Sequence, residues 1–221
     1  MRTIVVGDIH GCYNELVKLI DSLKEKELYD AETDKIIFLG DYIDRGNQSR
    51  EVISYIRAMQ ENNDNVIALM GNHENMLLDY MDGYSRDWLY NGCDSTVNSY
   101  NNHEDELASD IEWMENLPVY FEDDNFIYVH AGIDKGVSID EQSEMTMLWT
   151  RDEFIWDSTE YDKKVIFGHT PTQTINKDSK PIMTVGGDIG IDTGCVFGGK
   201  LTALVIDGGE IKKYIQIQKG E

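Results

Sequence analysis

Thr3-Ile4-Val5-Val6-Gly7-Asp8-Ile9-His10-Gly11 opens as an apolar, β-branched run and ends in a glycine, a carboxylate and an imidazole. The same design recurs twice. Lys35-Ile36-Ile37-Phe38-Leu39 runs into Gly40-Asp41-Tyr42-Ile43-Asp44-Arg45-Gly46, and Val66-Ile67-Ala68-Leu69-Met70 runs into Gly71-Asn72-His73-Glu74. The leading residues Asp8, Asp41 and Asn72 recur about every thirty positions, the length of one strand–helix–strand unit. Between the runs, Leu16, Leu19, Ile20 and Leu23 share one helical face, and so do Val52, Tyr55, Ile56 and Met59. The opening therefore reads β-α-β-α-β, with parallel neighbouring strands and right-handed crossovers. Each strand delivers oxygen or imidazole ligands to the same end of one sheet.

Further along, Phe126–Val129, Val165–Phe167, Ile182–Val185, Leu201–Ile206 and Ile211–Ile217 read as strands. Hairpin signals such as Asp207-Gly208-Gly209 favour antiparallel pairing there. The expected fold is α/β: two packed mixed β-sheets flanked by helices, an α/β/β/α sandwich. The 221 residues are expected to form a single domain, with only three prolines and no linker composition. From about 82 to 116 the chain turns acidic, Asn-rich and aromatic, with Trp88, Tyr90, Tyr100 and Trp113, and Leu107, Ile111 and Met114 at helical spacing. This stretch is expected to be a helical insertion that either roofs a site or simply packs its aromatics against the body.

Charge narrows the function classes. With 19 Lys+Arg against 42 Asp+Glu the formal net charge is −23, which argues against a nucleic-acid or anionic-membrane binder. No apolar run approaches the about 18 residues of a membrane span. A first strand at about Thr3 leaves no room for a signal peptide, and three cysteines without CxxC spacing suit reduced thiols, so a cytoplasmic location is expected. The Asn47-Gln48-Ser49 sequon is expected to be idle. Oligomeric state is not legible.

Four of the five histidines (His10, His73, His130 and His169) stand at strand ends, and His103 alone lies in the polar stretch. Mixed Asp, Asn and His ligands suit Mn, Fe or Zn, and the absence of paired cysteines excludes a thiolate site. Asp8, His10, Asp41, Asn72, His130 and His169 are too many ligands for one catalytic ion. They suit two ions sharing a carboxylate, roughly 3.5–4 Å apart, that clamp a phosphoryl group and activate water. Gly7, Gly40 and Gly71 are expected to allow sharp turns and close backbone approach.

These segments, with His130-Ala131-Gly132 and Gly168-His169, resemble the motif set of the phosphoprotein phosphatase family of calcineurin-like metallophosphoesterases, bacterial and phage members in particular. The set spans residues 7 to 195. The resemblance implies two divalent metal ions, Mn before Fe or Zn. It implies Asp8, His10 and Asp41 as ligands of the first, and Asp41, Asn72, His130 and His169 as ligands of the second. It further implies His73 as the general acid, Asp44 as the carboxylate orienting it, and Arg45 and Arg151 as phosphate-binding arginines. The implied reaction is phosphomonoester hydrolysis by in-line attack of activated water, on a phosphorylated protein or a small phosphomonoester, with serine/threonine protein phosphatase placed first.

Three departures matter. Met70 stands where many members carry a basic residue before the GNHE glycine, and the tyrosine-containing C-terminal segment of toxin-sensitive members is missing. His10 stands where symmetrical diadenosine tetraphosphatases typically carry glutamine, which tips the balance toward phosphomonoesters. The alternatives are a nucleotide or dinucleotide phosphohydrolase of diadenosine tetraphosphate type and, from another class, a non-catalytic metal-binding scaffold. Cysteine-phosphatase and aspartyl-phosphate signatures are absent, and Asp192-Thr193-Gly194 lacks the second copy an aspartic protease needs.

Overall fold

In the computed structural model, which describes residues 1–61 and 63–220, ten strands form two five-stranded sheets. Strands β1 (Arg2–Val6), β2 (Lys35–Phe38) and β3 (Val66–Ala68) are parallel, and helices α1 (Tyr13–Glu25) and α2 (Ser49–Gln60) cross between them. Helix α3 (Asn72–Met81), α4 (Cys93–Ser99) and α5 (Glu104–Glu115) follow β3. The second sheet is built from β4 (Tyr120–Glu122), β5 (Phe126–Val129), β6 (Lys164–Phe167), β7 (Ile182–Met183) and β8 (Ile189–Gly190), with α6 (Glu144–Trp149), α7 (Asp152–Ile155) and α8 (Gln173–Asn176) in its connections. The chain then returns to the first sheet as β9 (Lys200–Asp207) and β10 (Glu210–Gln218), in the order β10-β9-β1-β2-β3.

Alternation along β1 explains the layering. Ile4 and Val6 face the helices with Leu16, Leu19, Ile20, Val52 and Ile56, while Val5 faces the other sheet with Ile37, Leu39, Tyr128, Ile166 and Leu204. A third cluster (Ile127, Val129, Phe154, Ile155, Val165, Phe167) buries the outer face of the second sheet under α6 and α7. The expected four-layer α/β/β/α sandwich is the fold observed.

Pairing in the second half corrects one expectation. The β9–β10 hairpin is antiparallel, and Gly208 and Gly209 both adopt positive φ, as its two-residue turn requires. In the second sheet, however, β5, β6 and β8 run parallel, and only the edge strands β4 and β7 are antiparallel. β5 and β6 are buried on both faces and read as continuous apolar runs, so period-2 alternation gives no signal there. Ile182–Val185 shortens to β7, because Thr184 bonds to Asp188 instead of continuing the ladder. Among the described residues no helix is long and apolar enough to cross a membrane.

Candidate active site

The strands β1, β2, β3, β5 and β6 end at one edge, where the loops that follow them lock together through backbone. Ile9 and His10 N–H donate to the Asp41 carbonyl at 3.1 and 2.8 Å, and Gly11 N–H donates to Tyr42 O at 2.8 Å. Extended geometry does not carry from β1 through His10, as same-side projection of Asp8 and His10 would require: His10 has φ +46°. Eight non-glycine residues adopt positive φ among the described residues, and His10, Asp41, Asp44, Arg45 and His169 are five of them. Such backbone costs of order 1–3 kcal/mol per residue and persists where the surroundings over-determine it. Gly40 turns with φ +98°. Gly71 serves by close approach alone, since a Cβ there would lie 2.2 Å from the Asp41 nitrogen.

All ten sequence-predicted residues fall into this one network, and Asp41 is its hub. Its carboxylate lies 3.2 Å from His10 Nε2 and 3.4 Å from His130 Nε2. It belongs to two overlapping ligand groups, one with His10 and His73, the other with His130 and His169. Asn72 Oδ1 sits 2.9 Å from both His130 Nε2 and His169 Nδ1. Asp8 accepts the His169 backbone N–H at 3.0 Å, and Arg151 donates to the His169 carbonyl at 3.2 Å. Arg45 Nη1 lies 2.5 Å from His10 Nε2.

Tautomers assigned from these contacts show what the cluster lacks. His130 Nδ1–H donates to Leu39 O at 2.8 Å, which leaves its Nε2 as a lone pair, and His10 Nδ1–H donates to Ile43 O at 2.8 Å. The His130 lone pair faces the Asp41 carboxylate and the Asn72 carbonyl, acceptor against acceptors, whereas His10 Nε2 lies between Asp41 and the Arg45 guanidinium. Burial opposes charge on His10, but the Asp41 carboxylate outweighs it and holds the imidazole above its usual range. His169 Nε2 is buried with no partner among the described residues. The electrostatics agree. Burial, then Asp192 and then Asp41, hold the Asp8 carboxyl well above the usual range. Burial also pushes Asp192 up. Asp41 resists its burial and is held well below the usual range by His130, His73 and His10. Burial drives His130 down, and drives His169 down to about 2, so both imidazoles are neutral near pH 7 and able to act as ligands. Crowded lone pairs, an orphaned buried nitrogen and three buried carboxylates fit divalent cations.

His73 stands apart in its partners. Its Nδ1 pairs with Asp44 Oδ2 at 2.6 Å, and both side chains are buried. Asp44 is in turn gripped from the 82–116 stretch. Trp88 Nε1–H donates to both carboxylate oxygens at 3.0 Å, and Thr96 Oγ1–H donates to Oδ1 at 2.6 Å. The Arg45 N–H donates to Gly92 O at 3.1 Å. The stretch thus touches the site through Asp44 and Arg45 and packs Trp88, Cys93 and Met114 into the helix-face core.

Four residues escaped the sequence reading. Trp88, named only as an aromatic, and Thr96 lie in a part of the stretch that carries no motif and precedes its helical spacing. Asp192 is 4 % exposed and close enough to raise Asp8; its DTG triplet lies within the span of the resembled family's motifs but was given no role in the site. Glu74, although quoted within its motif, had no role. Its carboxylate receives the N–H groups of Asp41 (2.9 Å), Tyr42 (2.8 Å), Ile43 (3.2 Å) and Gly71 (3.1 Å), tying the loops after β2 and β3 together.

Comparison with known proteins agrees with this geometry. Residues 1–203 match the calcineurin-like phosphoesterase family. The chain belongs to that family. It is a phosphohydrolase of metallophosphoesterase type, a class that typically binds two divalent metals. It is 33 % identical to the asymmetrical bis(5'-nucleosyl)-tetraphosphatase PrpE of Halalkalibacterium halodurans, over 92 % of this chain and 89 % of that one. The structure of a proposed diadenosine tetraphosphatase superposes with a TM-score of 0.68 at 22 % identity, covering 98 % of this phosphoesterase and 93 % of the other. A Saccharomyces cerevisiae protein serine/threonine phosphatase superposes equally well, TM-score 0.68, at 15 % identity over 100 % and 80 % of the two chains. At those identities the two structures speak to fold alone.

Proposed function

We propose that this phosphoesterase hydrolyses a phosphoanhydride bond in dinucleoside polyphosphates of the diadenosine tetraphosphate kind. The observation that carries the proposal is the 33 % identity to a bis(5'-nucleosyl)-tetraphosphatase across nearly the whole of both chains. It favours the dinucleotide alternative over the protein phosphatase that the motifs put first. The absence of the symmetrical enzymes' glutamine at His10 does not weigh against this substrate, because the relative is an asymmetrical enzyme.

In this reading Asp8, His10, Asp41, Asn72, His130 and His169 hold two divalent ions, manganese first, with Asp192 beside them. Bound there, the ions supply Lewis acidity to a phosphoryl oxygen and an activated water. The chain's own residues do the rest. Arg45, beside His10, and Arg151, on the His169 carbonyl, would balance charge growing on the phosphate oxygens. Water adds to phosphorus, the bond to the bridging oxygen breaks, and His73 delivers a proton from Nε2 to the departing phosphate chain. Asp44 on Nδ1 fixes the ring and stabilises its charged form against the burial that lowers its pKa. Three unpaired cysteines suit action in a reducing cytoplasm.

The test is a manganese-supplemented panel of diadenosine tetraphosphate, a phosphoserine peptide and p-nitrophenyl phosphate. The highest kcat/KM is expected for the dinucleotide. A preference for the phosphopeptide would return the assignment to a protein phosphatase, and no turnover of any of the three would favour the scaffold.

A further inference from the structure

Phe197 is the only one of the six phenylalanines that is exposed, at 55 %, and its ring lies against Arg45, with the guanidinium carbon 5.3 Å from the ring centroid. Tyr80, Tyr84, Tyr90, Trp156 and Tyr214 are also exposed, but among the described residues Phe197 is the exposed aromatic whose ring lies against an arginine of the site. Its backbone is not a loose tip. Gly194 and Gly198 turn in the left-handed region at φ +69° and +83°. Phe197 N–H donates to Gly194 O at 3.0 Å, Gly198 N–H to Cys195 O at 3.1 Å, and Gly199 N–H to Gly194 O at 2.9 Å. Cys195, 2 % exposed, anchors the turn in the core. The same loop begins at Asp192, whose carboxylate accepts the Gly194 N–H at 3.0 Å beside the ion cluster. One hydrogen-bonded loop thus carries a buried carboxyl beside Asp8 and an exposed aromatic ring against Arg45.

We infer that Phe197 is a stacking platform for the base of a nucleotide whose phosphate chain is held by Arg45 and the ion site. This assignment rests on the dinucleotide reading above and names the residue that recognises the nucleoside. The chemistry is economical. A planar base stacks on an aromatic ring already flanked by a guanidinium, and every base has a π-face to offer. A 5′-nucleotide separates base from phosphate by one ribose, and here the ring and the phosphate-facing arginine are side by side. An exposed Phe held in a pinned turn loses little conformational freedom on binding.

The experiment compares ATP with inorganic tripolyphosphate as competitive inhibitors of p-nitrophenyl phosphate hydrolysis by the manganese-loaded enzyme. The two differ in the adenosine alone. Phe197→Ala is expected to raise the inhibition constant of ATP about tenfold or more, the usual worth of one stacked base, and that of tripolyphosphate less than twofold. Phe197→Trp should restore ATP binding, and Phe197→Leu should not. An equal loss for both inhibitors would mean that Phe197 acts only by placing Arg45, and no loss for either would mean that it is idle; each result overturns the inference. Diadenosine tetraphosphate turnover by the unmutated protein decides the function separately, so the two can fail independently.

Discussion

The strand-end loops and the 82–116 stretch converge on Asp44 but hold it by different means. The loops are fixed by backbone: five left-handed site residues, a glycine pressed on Asp41, and Glu74 collecting four N–H groups. The stretch contributes two side chains, the Trp88 indole and the Thr96 hydroxyl. Ligands placed by backbone cannot be retuned without rebuilding the loop, and charge-rich ion sites need that rigidity. A carboxylate held by hydrogen bonds from two side chains, as Asp44 is, can be adjusted by single substitutions. The contrast separates a part of the site that should fail all at once from a part that should fail by degrees.

The largest effect that probes this contrast belongs to His73, where the two parts meet. His73→Asn should lower kcat by about 10²–10⁴-fold while both ions stay bound, because its nitrogen serves the leaving group. The loss should shrink for p-nitrophenyl phosphate, whose leaving group needs little protonation. Equal losses for p-nitrophenyl and alkyl phosphates would remove the acid role.

A smaller effect is expected from the stretch itself. Thr96→Val and Trp88→Phe each remove one donor to a buried carboxylate, an interaction of about 1.5–3 kcal/mol. Each should cut kcat by roughly 3–30-fold with poor leaving groups and less with good ones, at constant ion content. Thr96→Ser, which keeps the hydroxyl, should recover most of the rate. A change in melting temperature with kcat untouched would make Trp88 and Thr96 packing residues only.

The candidate ligands were legible because their chemistry is rare and their placement repetitive: Asp8, Asp41 and Asn72 each follow an apolar run at a common interval. The helices of the first half were legible from Leu16, Leu19, Ile20 and Leu23. Parallel pairing in the second sheet was not, since doubly buried strands show no alternation and the short β8 has no signature. Trp88 and Thr96 were hidden for a different reason. A single indole or hydroxyl donor carries no period, and only the folded path of the chain brings residues 44 positions and 52 positions beyond Asp44 against it. Asp192 carried the right chemistry, but its triplet was given no role in the site.

The smallest effect concerns pH. In the ion-free protein, burial and the carboxylates of Asp192 and Asp41 keep the Asp8 proton on at pH values where a free carboxyl has lost it. A cation must displace that proton, so ion affinity should fall as pH drops through the raised value, by up to about tenfold per pH unit for one proton. His130 and His169, already neutral, release none near pH 7, whereas His10, whose burial is outweighed by the Asp41 carboxylate, is raised and adds a proton to be displaced. Asp192→Asn removes a like charge, lowers Asp8 and should reduce the protons released per ion, measured calorimetrically in buffers of differing ionisation enthalpy. Unchanged proton release would place the coupling elsewhere than Asp192.

The most direct test of the whole account is the ion stoichiometry of the chelated protein titrated with manganese. Two ions per chain are predicted for the unmutated enzyme. Asp41→Asn should lose tight binding at both positions together, because the carboxylate lies between the two ligand groups. A single ion in the unmutated protein, or two at full occupancy in Asp41→Asn, would contradict the shared-carboxylate site.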